Sequence, residues 1–172
     1  GFAGSHLVEY LTSSTEYEIH VTSYGGNAGN VENLIPAENV HALDLSDQEK
    51  TSELLGNLQP DQIFHLAAIS SVEDSFSSPE KVILMNTKLQ ISFLESLKAV
   101  CPNTPTLIIG SAQEYDLLSR KTERVSEDQP LGPANPYGVS KVNQDLLALS
   151  YFYSYSLPLI RVRPFNHIGE YQ

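Results

Sequence analysis

The chain alternates short apolar runs with longer amphipathic stretches. Apolar runs bordered by turn-forming residues are typical of strands, and apolar residues repeating every three or four positions are typical of helices. The pattern predicts helices over residues 4–14, 47–58, 79–100 and 137–156. It predicts strands over residues 18–23, 40–43, 63–67, 106–111 and 158–162, and a 25-residue loop over 112–136.

Strand–helix alternation with continuously apolar strands indicates an α/β protein with a mostly parallel sheet. Of the 172 residues, 41% are hydrophobic and 18% are charged, so the chain can bury a core. No apolar run reaches the roughly 18 residues that a membrane span needs. The single cysteine, Cys101, excludes an internal disulfide framework and a cysteine-rich zinc site.

The net charge of −11 makes nucleic acid a poor partner, because an acidic chain repels a phosphate backbone. A nucleotide can still bind through the backbone amides at the start of a helix. His6, His20 and His41 lack the spacing of metal ligands, so no metal site is predicted.

Gly1 and Gly4 lead directly into the first predicted helix. Their spacing is that of the second half of a glycine-rich turn, which lets a pyrophosphate approach the helix N-terminus. In a Rossmann sheet with the strand order 3-2-1-4-5-6, the strand before this turn lies in the middle. We therefore expect a chain truncated at its N-terminus, and a sheet that is open between its second and fourth strands.

Tyr137 and Lys141 are four residues apart on a predicted helix and therefore share a face. A lysine ammonium near a phenol favours the phenolate, so we expect the pKa of Tyr137 to lie below its ordinary value of about 10. Such a tyrosine can exchange a proton with a sugar hydroxyl or carbonyl near neutral pH. Ser111 ends a buried strand, where α/β sheets place their ligands, and its hydroxyl can donate to the same oxygen.

Six motifs follow one another in the order, and near the spacing, of the extended short-chain dehydrogenase/reductase superfamily. They are Gly1-x-x-Gly4, Asp44-Leu45, His65-Leu66-Ala67-Ala68, Asn86, Ser111 and Tyr137-x-x-x-Lys141. The chain resembles this superfamily over essentially its whole length. The resemblance implies a Rossmann-type doubly wound parallel sheet, an NAD(P)-binding domain over residues 1–172, and a C-terminal substrate domain that is mostly absent. It also implies a cytoplasmic enzyme that forms a homodimer through helices 79–100 and 137–156.

The resemblance also implies roles for individual residues. Tyr137 would be the general acid/base, Lys141 would hold the nicotinamide ribose and lower the pKa of Tyr137, and Ser111 would hydrogen-bond the substrate. The residues implied to contact NADP or NAD are Gly1, Phe2, Gly4, Asp44, Leu45, Leu66, Ala67, Ala68, Tyr137, Lys141 and Pro164. Those implied to contact the substrate are Ser71, Gln113, Asn166 and His167.

Three further points concern Asn86, His65 and residues 22–26. Asn86 would lie near the active site or would be structural, and both interpretations stay open. His65 is expected to pack rather than to catalyse. The stretch 22–26 has neither the acid that favours NAD nor the arginine that favours NADP, so the choice of cofactor also stays open.

Residues 161–169 resemble a segment of the GDP-mannose 4,6-dehydratase and GDP-4-keto-6-deoxymannose reductase group, which favours a GDP-sugar substrate. Sugar-nucleotide dehydratases carry an acid two residues after the serine or threonine. Here that residue is Gln113, whose amide cannot act as a base, and Glu114 is one residue displaced and should point elsewhere. We therefore predict reduction of a GDP-4-keto-6-deoxyhexose at C4, with the 172-residue chain inactive by itself. A 4-epimerase, a 4,6-dehydratase and a non-catalytic dinucleotide sensor remain as alternatives.

Overall fold

Five strands and five α-helices alternate along the part of the chain that a computed structural model describes, residues 1–14, 16–27, 29–118 and 124–170. The strands are β1 Val21–Ser23, β2 Val40–Ala42, β3 Ile63–His65, β4 Thr106–Ile109 and β5 Leu159–Val162. The helices are α1 Phe2–Ser14, α2 Gln48–Leu58, α3 Val72–Ser77, α4 Pro79–Val100 and α5 Pro136–Tyr155. This alternation confirms the predicted α/β class.

The two long helices begin and end within one residue of their predicted bounds. A proline in the first turn marks the start of each helix. Helix α3 was not predicted, since six residues are too few to show an apolar period. The predicted loop over 112–136 also contains structure, a 3-10 turn at Ala112–Glu114 and a bridge between Tyr115 and Leu131. None of the described helices is long and apolar enough to cross a membrane.

The strands form two separate parallel sheets, one of β1 and β2 and one in the order β3-β4-β5. Within the described residues no strand pairing joins β1 to β3, so the opening predicted between the second and fourth Rossmann strands is confirmed. A cavity of about 80 Å³ lies at this break. It is lined by Thr22 of β1 and Phe64 of β3, among others.

The main hydrophobic core joins the three-stranded sheet to α4 and α5. Five side chains at most 2% exposed form its centre, and they are Leu94, Leu97, Ile108, Ala148 and Leu157. Burying an aliphatic side chain of this size contributes about 2 kcal/mol. The core therefore fixes α4 and α5 against the sheet that carries most of the candidate site.

Ser156 provides a test of the end of α5. It has a left-handed backbone, with φ 57° and ψ 29°, which costs a side-chain-bearing residue about 1 kcal/mol. We expect Ser156→Gly to stabilise the protein by about 0.5 kcal/mol, because the greater freedom of glycine in the unfolded chain offsets part of the relief. Urea unfolding measures the change.

Ser154→Gly is the matched control, since Ser154 is exposed within the last turn of the same helix. There glycine removes helix propensity and should destabilise the protein by about 0.5 kcal/mol. Equal effects of the two substitutions would show that the left-handed conformation of Ser156 carries no strain.

Candidate active site

Several candidate residues lie directly after the carboxyl end of a strand. Asp44 and Leu45 follow β2, residues 66–68 follow β3, Ser111 follows β4 and Pro164 follows β5. Because the strands within each sheet run parallel, these positions share the edge of their sheet at which α/β proteins bind ligands.

Ser111 and Tyr137 meet where the start of α5 approaches the turn after β4. A Cβ atom on Gly138 would come within 2.5 Å of the Gln113 carbonyl oxygen, so only glycine permits this approach. Asn135 fixes the contact from both sides. Its Oδ1 accepts from the Gly138 amide at 2.8 Å, and its Nδ2 donates to Oε1 of Gln113 at 3.0 Å. The Tyr137 side chain is thereby brought close enough to the Ser111 hydroxyl for that hydroxyl to lower the pKa of the phenol.

The Lys141 ammonium lies one turn further along α5 and is 4% exposed. It donates to the Ile109 carbonyl at 2.6 Å and to Oε1 of Gln144 at 2.8 Å. Burial lowers the pKa of Lys141 to about 8, although the negative charges of Glu114 and Asp145 oppose this shift. The lysine is therefore held next to Ser111, at the end of β4, mainly by neutral groups.

The expectation that Lys141 lowers the pKa of Tyr137 is wrong for this structure. Burial raises the pKa of Tyr137, the Ser111 hydroxyl partly opposes the rise, and the charge of Glu114 adds to it. The Lys141 ammonium is instead turned to a backbone carbonyl and an amide. Burial destabilises the charged phenolate, and the Lys141 ammonium does not compensate for that effect.

Glu114 is fully buried and acts as a structural carboxylate. Its Oε1 accepts from the Ser111 amide at 2.6 Å, and its Oε2 accepts from Nε of Arg163 at 3.0 Å. A Cβ atom on Gly110 would collide with the same Oε1 atom, so a glycine is needed there. Glu114 thus points away from the position of a catalytic base, as expected, and fixes the backbone of Ser111.

Sequence reasoning missed a buried ion network behind Glu114. Asp145 is 1% exposed, and its Oδ2 accepts from Arg161 at 2.6 Å and from Arg163 at 2.7 Å. Its position four residues after Lys141, on the same face of α5, was the one signal available in the sequence. The network ties α5 to β5 and, through Arg163, to Glu114 and the Ser111 turn.

The hydrogen bonds of Asn86 show its structural role. Asn86 is fully buried, and its side chain accepts from the Ile69 amide at 2.7 Å. It donates to the Ile69 carbonyl at 3.0 Å and to the Ser140 hydroxyl at 2.9 Å. Asn86 therefore ties the segment after β3 to α5, which positions the backbone next to the candidate cofactor wall.

The remaining candidates lie on other segments of the chain. The Ser71 hydroxyl caps α3 by accepting from the Asp74 amide at 3.0 Å, and one oxygen of Asp44 accepts from the Ser46 amide at 2.9 Å. Leu45 lines the cavity between the sheets. Five other candidates lie in exposed or half-buried positions after strands, and they are Leu66, Ala67, Ala68, Asn166 and His167.

Gly4 lies in the first turn of α1. A Cβ atom there would meet no atom within 4 Å. Amides at a helix N-terminus favour an anion there. Phe2 lies beside this turn, with its ring edge-on to His6.

Comparison with known proteins decides the family. The sequence profile described as GDP-mannose 4,6 dehydratase matches residues 1–172. The chain belongs to this family. The GDP-6-deoxy-D-mannose reductase of Pseudomonas aeruginosa is 29% identical over 172 residues, which cover 100% of this chain and 51% of that protein. The chain spans about half the length of the curated relatives it matches.

Two solved structures show how members of this superfamily compare with the chain. DesIV, a dTDP-glucose 4,6-dehydratase from Streptomyces venezuelae, was solved as a double mutant with NAD. It is 26% identical with a TM-score of 0.86, covering 100% of this chain and 55% of DesIV. RMD from Pseudomonas aeruginosa was solved with NADPH, and it is 30% identical with a TM-score of 0.69, covering 75% of this chain and 43% of RMD. These likenesses confirm the Rossmann-like parallel fold, and the relatives are nucleotide-sugar enzymes that use NAD or NADPH.

The buried ion network gives a stability prediction. Asp145→Asn removes the charge that two guanidinium groups share, and uncompensated buried charge costs about 3 kcal/mol or more. We expect this loss in the free energy of unfolding measured with urea. Asp128→Asn, at an exposed position, is the control and should change stability by less than about 0.5 kcal/mol. Equal small effects would mean that the network contributes no net stability.

Proposed function

We propose that the protein reduces the 4-keto group of a GDP-4-keto-6-deoxyhexose, and that residues 1–172 form its NAD(P)-binding part. The observation that carries this proposal is the close approach of the start of α5, which carries Tyr137, to the turn that carries Ser111. A buried lysine bonds the end of β4 beside them, and no carboxylate stands two residues after Ser111. The family and its reductase relative support the same class of substrate.

In the proposed reaction, Tyr137 donates a proton to the C4 oxygen while Ser111 donates a hydrogen bond to it. A raised pKa keeps the Tyr137 phenol protonated at neutral pH, as a proton donor requires. The Lys141 ammonium would bind the ribose of the cofactor, and a nicotinamide, when bound, supplies the hydride. NADP and NAD both remain candidates, with the first turn of α1 as the proposed phosphate site and residues 44–45 and 66–68 along the adenosine and nicotinamide.

The side chains of the Ser111 turn argue against dehydration. Elimination of water needs a base that removes the C5 proton, and the Gln113 amide cannot do so. Gln113 is also hydrogen-bonded to Asn135, and Glu114 is buried against Arg163. We propose that Gln113 contacts the sugar together with Ser71, Asn166 and His167, and that Pro164 borders the nicotinamide.

Tyr137→Phe tests the proposed function in the protein expressed from its complete natural gene. With GDP-4-keto-6-deoxymannose and NADPH or NADH, the wild type should consume the reduced nicotinamide, and Tyr137→Phe should lower kcat at least about 100-fold. Absorbance of the nicotinamide band measures both rates and identifies the cofactor. Tyr151→Phe makes the same change on the same helix, where the hydroxyl bonds Glu95, and should keep full activity.

Other outcomes of this assay contradict the proposal in different ways. Interconversion of GDP- or UDP-hexoses without net oxidation of the nicotinamide would identify a 4-epimerase. Release of water from GDP-mannose would identify a 4,6-dehydratase. Cofactor binding without turnover of any of these sugars would identify a dinucleotide sensor.

We also propose that two copies of the protein associate through α4 and α5. Both helices leave an apolar stripe exposed at helical spacing, and its members are Leu84, Ile91, Val139, Leu146 and Tyr153. An open groove of about 310 Å³ runs between the helices beside Leu146. A self-complementary stripe of this kind suits a twofold interface.

Leu146→Asp tests this surface. A carboxylate in the middle of the stripe should shift the protein from dimer to monomer in sedimentation velocity, because a buried unpaired charge opposes association. Leu34→Asp is the matched control, since Leu34 is 40% exposed and Leu146 is 46% exposed. A wild-type monomer, or a Leu146→Asp variant that remains dimeric, would refute the proposed interface.

A further inference from the structure

A line of buried polar side chains extends from Lys141 into the core between α4, α5 and β3. Lys141 bonds Oε1 of Gln144 at 2.8 Å, and Nε2 of Gln144 bonds Oε1 of Gln90 at 3.3 Å. The ring of His65 ends the line. The exposed fractions of these four residues are 5% or less.

Two buried nitrogens at the end of this line have no hydrogen-bond partner. They are Nε2 of Gln90 and Nε2 of His65. The Gln90 side chain lies close enough to the His65 ring to act on its pKa. An amide nitrogen is a donor and an unprotonated ring nitrogen is an acceptor, so the two atoms are complementary.

The ammonium fixes the direction of every bond in the line. A charged lysine can only donate, so Gln144 must turn its oxygen towards Lys141 and its NH₂ towards Gln90. Gln90 must then present its oxygen to Gln144, which leaves its NH₂ for His65. His65 is neutral, because burial and the charge of Lys141 lower its pKa to about 3.

We propose that Gln144 and Gln90 are positioning residues, whose amides form a one-way hydrogen-bond chain from Lys141 to Nε2 of His65 and hold the ammonium at the end of β4. His65 is then the tautomer protonated at Nδ1. The consequence for catalysis rests on the ribose-binding role proposed above for Lys141, whereas the direction of the chain does not.

The charged surroundings of Lys141 leave the Ile109 carbonyl and this neutral chain as its direct support. Glu114 faces it from the turn after β4, and Asp145 faces it from α5. Both carboxylates are already paired with Arg163 from the end of β5. The neutral His65 ring faces Lys141 from β3, and α4 contributes the uncharged Gln90.

Gln144→Glu is the decisive variant. A carboxylate still accepts from Lys141 but cannot donate to Gln90, so the Gln90 amide must reverse and turn its NH₂ to the new carboxylate. The Gln90 oxygen then faces His65, which must switch to the tautomer protonated at Nε2. The new charge should also raise the titration midpoint of Lys141 from about 8 by roughly one pH unit or more.

The measurement is NMR of the protein from its complete natural gene, with ¹⁵N-labelled histidine rings and ¹³Cε-labelled lysine. His65 is assigned by its loss in His65→Gln. We expect Nδ1–H in the wild type between pH 6 and pH 8, Nε2–H in Gln144→Glu, and the wild-type tautomer in the exposed control Gln48→Glu. In Gln90→Leu with Gln144→Glu the switch should disappear, because the connecting amide is gone.

Nε2–H in the wild type, or a tautomer that does not respond to Gln144→Glu, would overturn the proposal. If Gln144→Glu does not fold, the wild-type tautomer still decides. The spectra need no sugar or cofactor, so a failed reductase assay leaves this result intact, and an unexpected tautomer leaves the proposed reaction intact.

Discussion

The buried carboxylate of Glu114 joins the elements that make the candidate site. It holds the Ser111 amide through one oxygen and Arg163 through the other, so the turn after β4 and the end of β5 share one anchor. A carboxylate with no exposed surface must be paired by such donors, because water cannot solvate it. Glycine at position 110 is a consequence, since a side chain there would occupy the carboxylate's space. The position of the Ser111 hydroxyl therefore depends on an ion pair rather than on the loop itself.

Helix α5 presents polar groups at helical spacing to this anchor, and each group meets a different environment. Tyr137 lies near Ser111, Lys141 donates a hydrogen bond to a carbonyl of β4, and Asp145 forms ion pairs with two arginines. Asp145 is paired with two guanidinium groups. Lys141 is bonded to a carbonyl and an amide, and its burial lowers its pKa to about 8. One helix thus carries both a buried ion pair and an ammonium whose pKa lies close to neutral pH.

The sequence was sufficient to predict what depends on local order. The bounds of α4 and α5, and the grouping of Ser111 with Tyr137, follow from helical periods, prolines and motif spacing. Helix α3 escaped prediction because its six residues depend on the Ser71 cap. Gln90 and Gln144 lie on different helices 54 positions apart, so no local pattern indicates that they touch. The predicted lowering of the Tyr137 pKa was wrong for a related reason, because the depth at which a phenol is buried is a tertiary property.

Under the proposed reductase function, the same long-range packing keeps Glu114 from serving as the base of a dehydratase. Glu114 is next to the position where a dehydratase would need its base, and a carboxylate there with free access would make both reactions chemically available. The capping contact with the Ser111 amide and the bond to Arg163 remove that access. Burial and the charge of Asp145 raise the pKa of Glu114. This shift provides no base that a substrate could reach, because the carboxylate has no exposed area. In the proposed reaction, Tyr137 then acts as the proton donor with no carboxylate base of this turn competing with it.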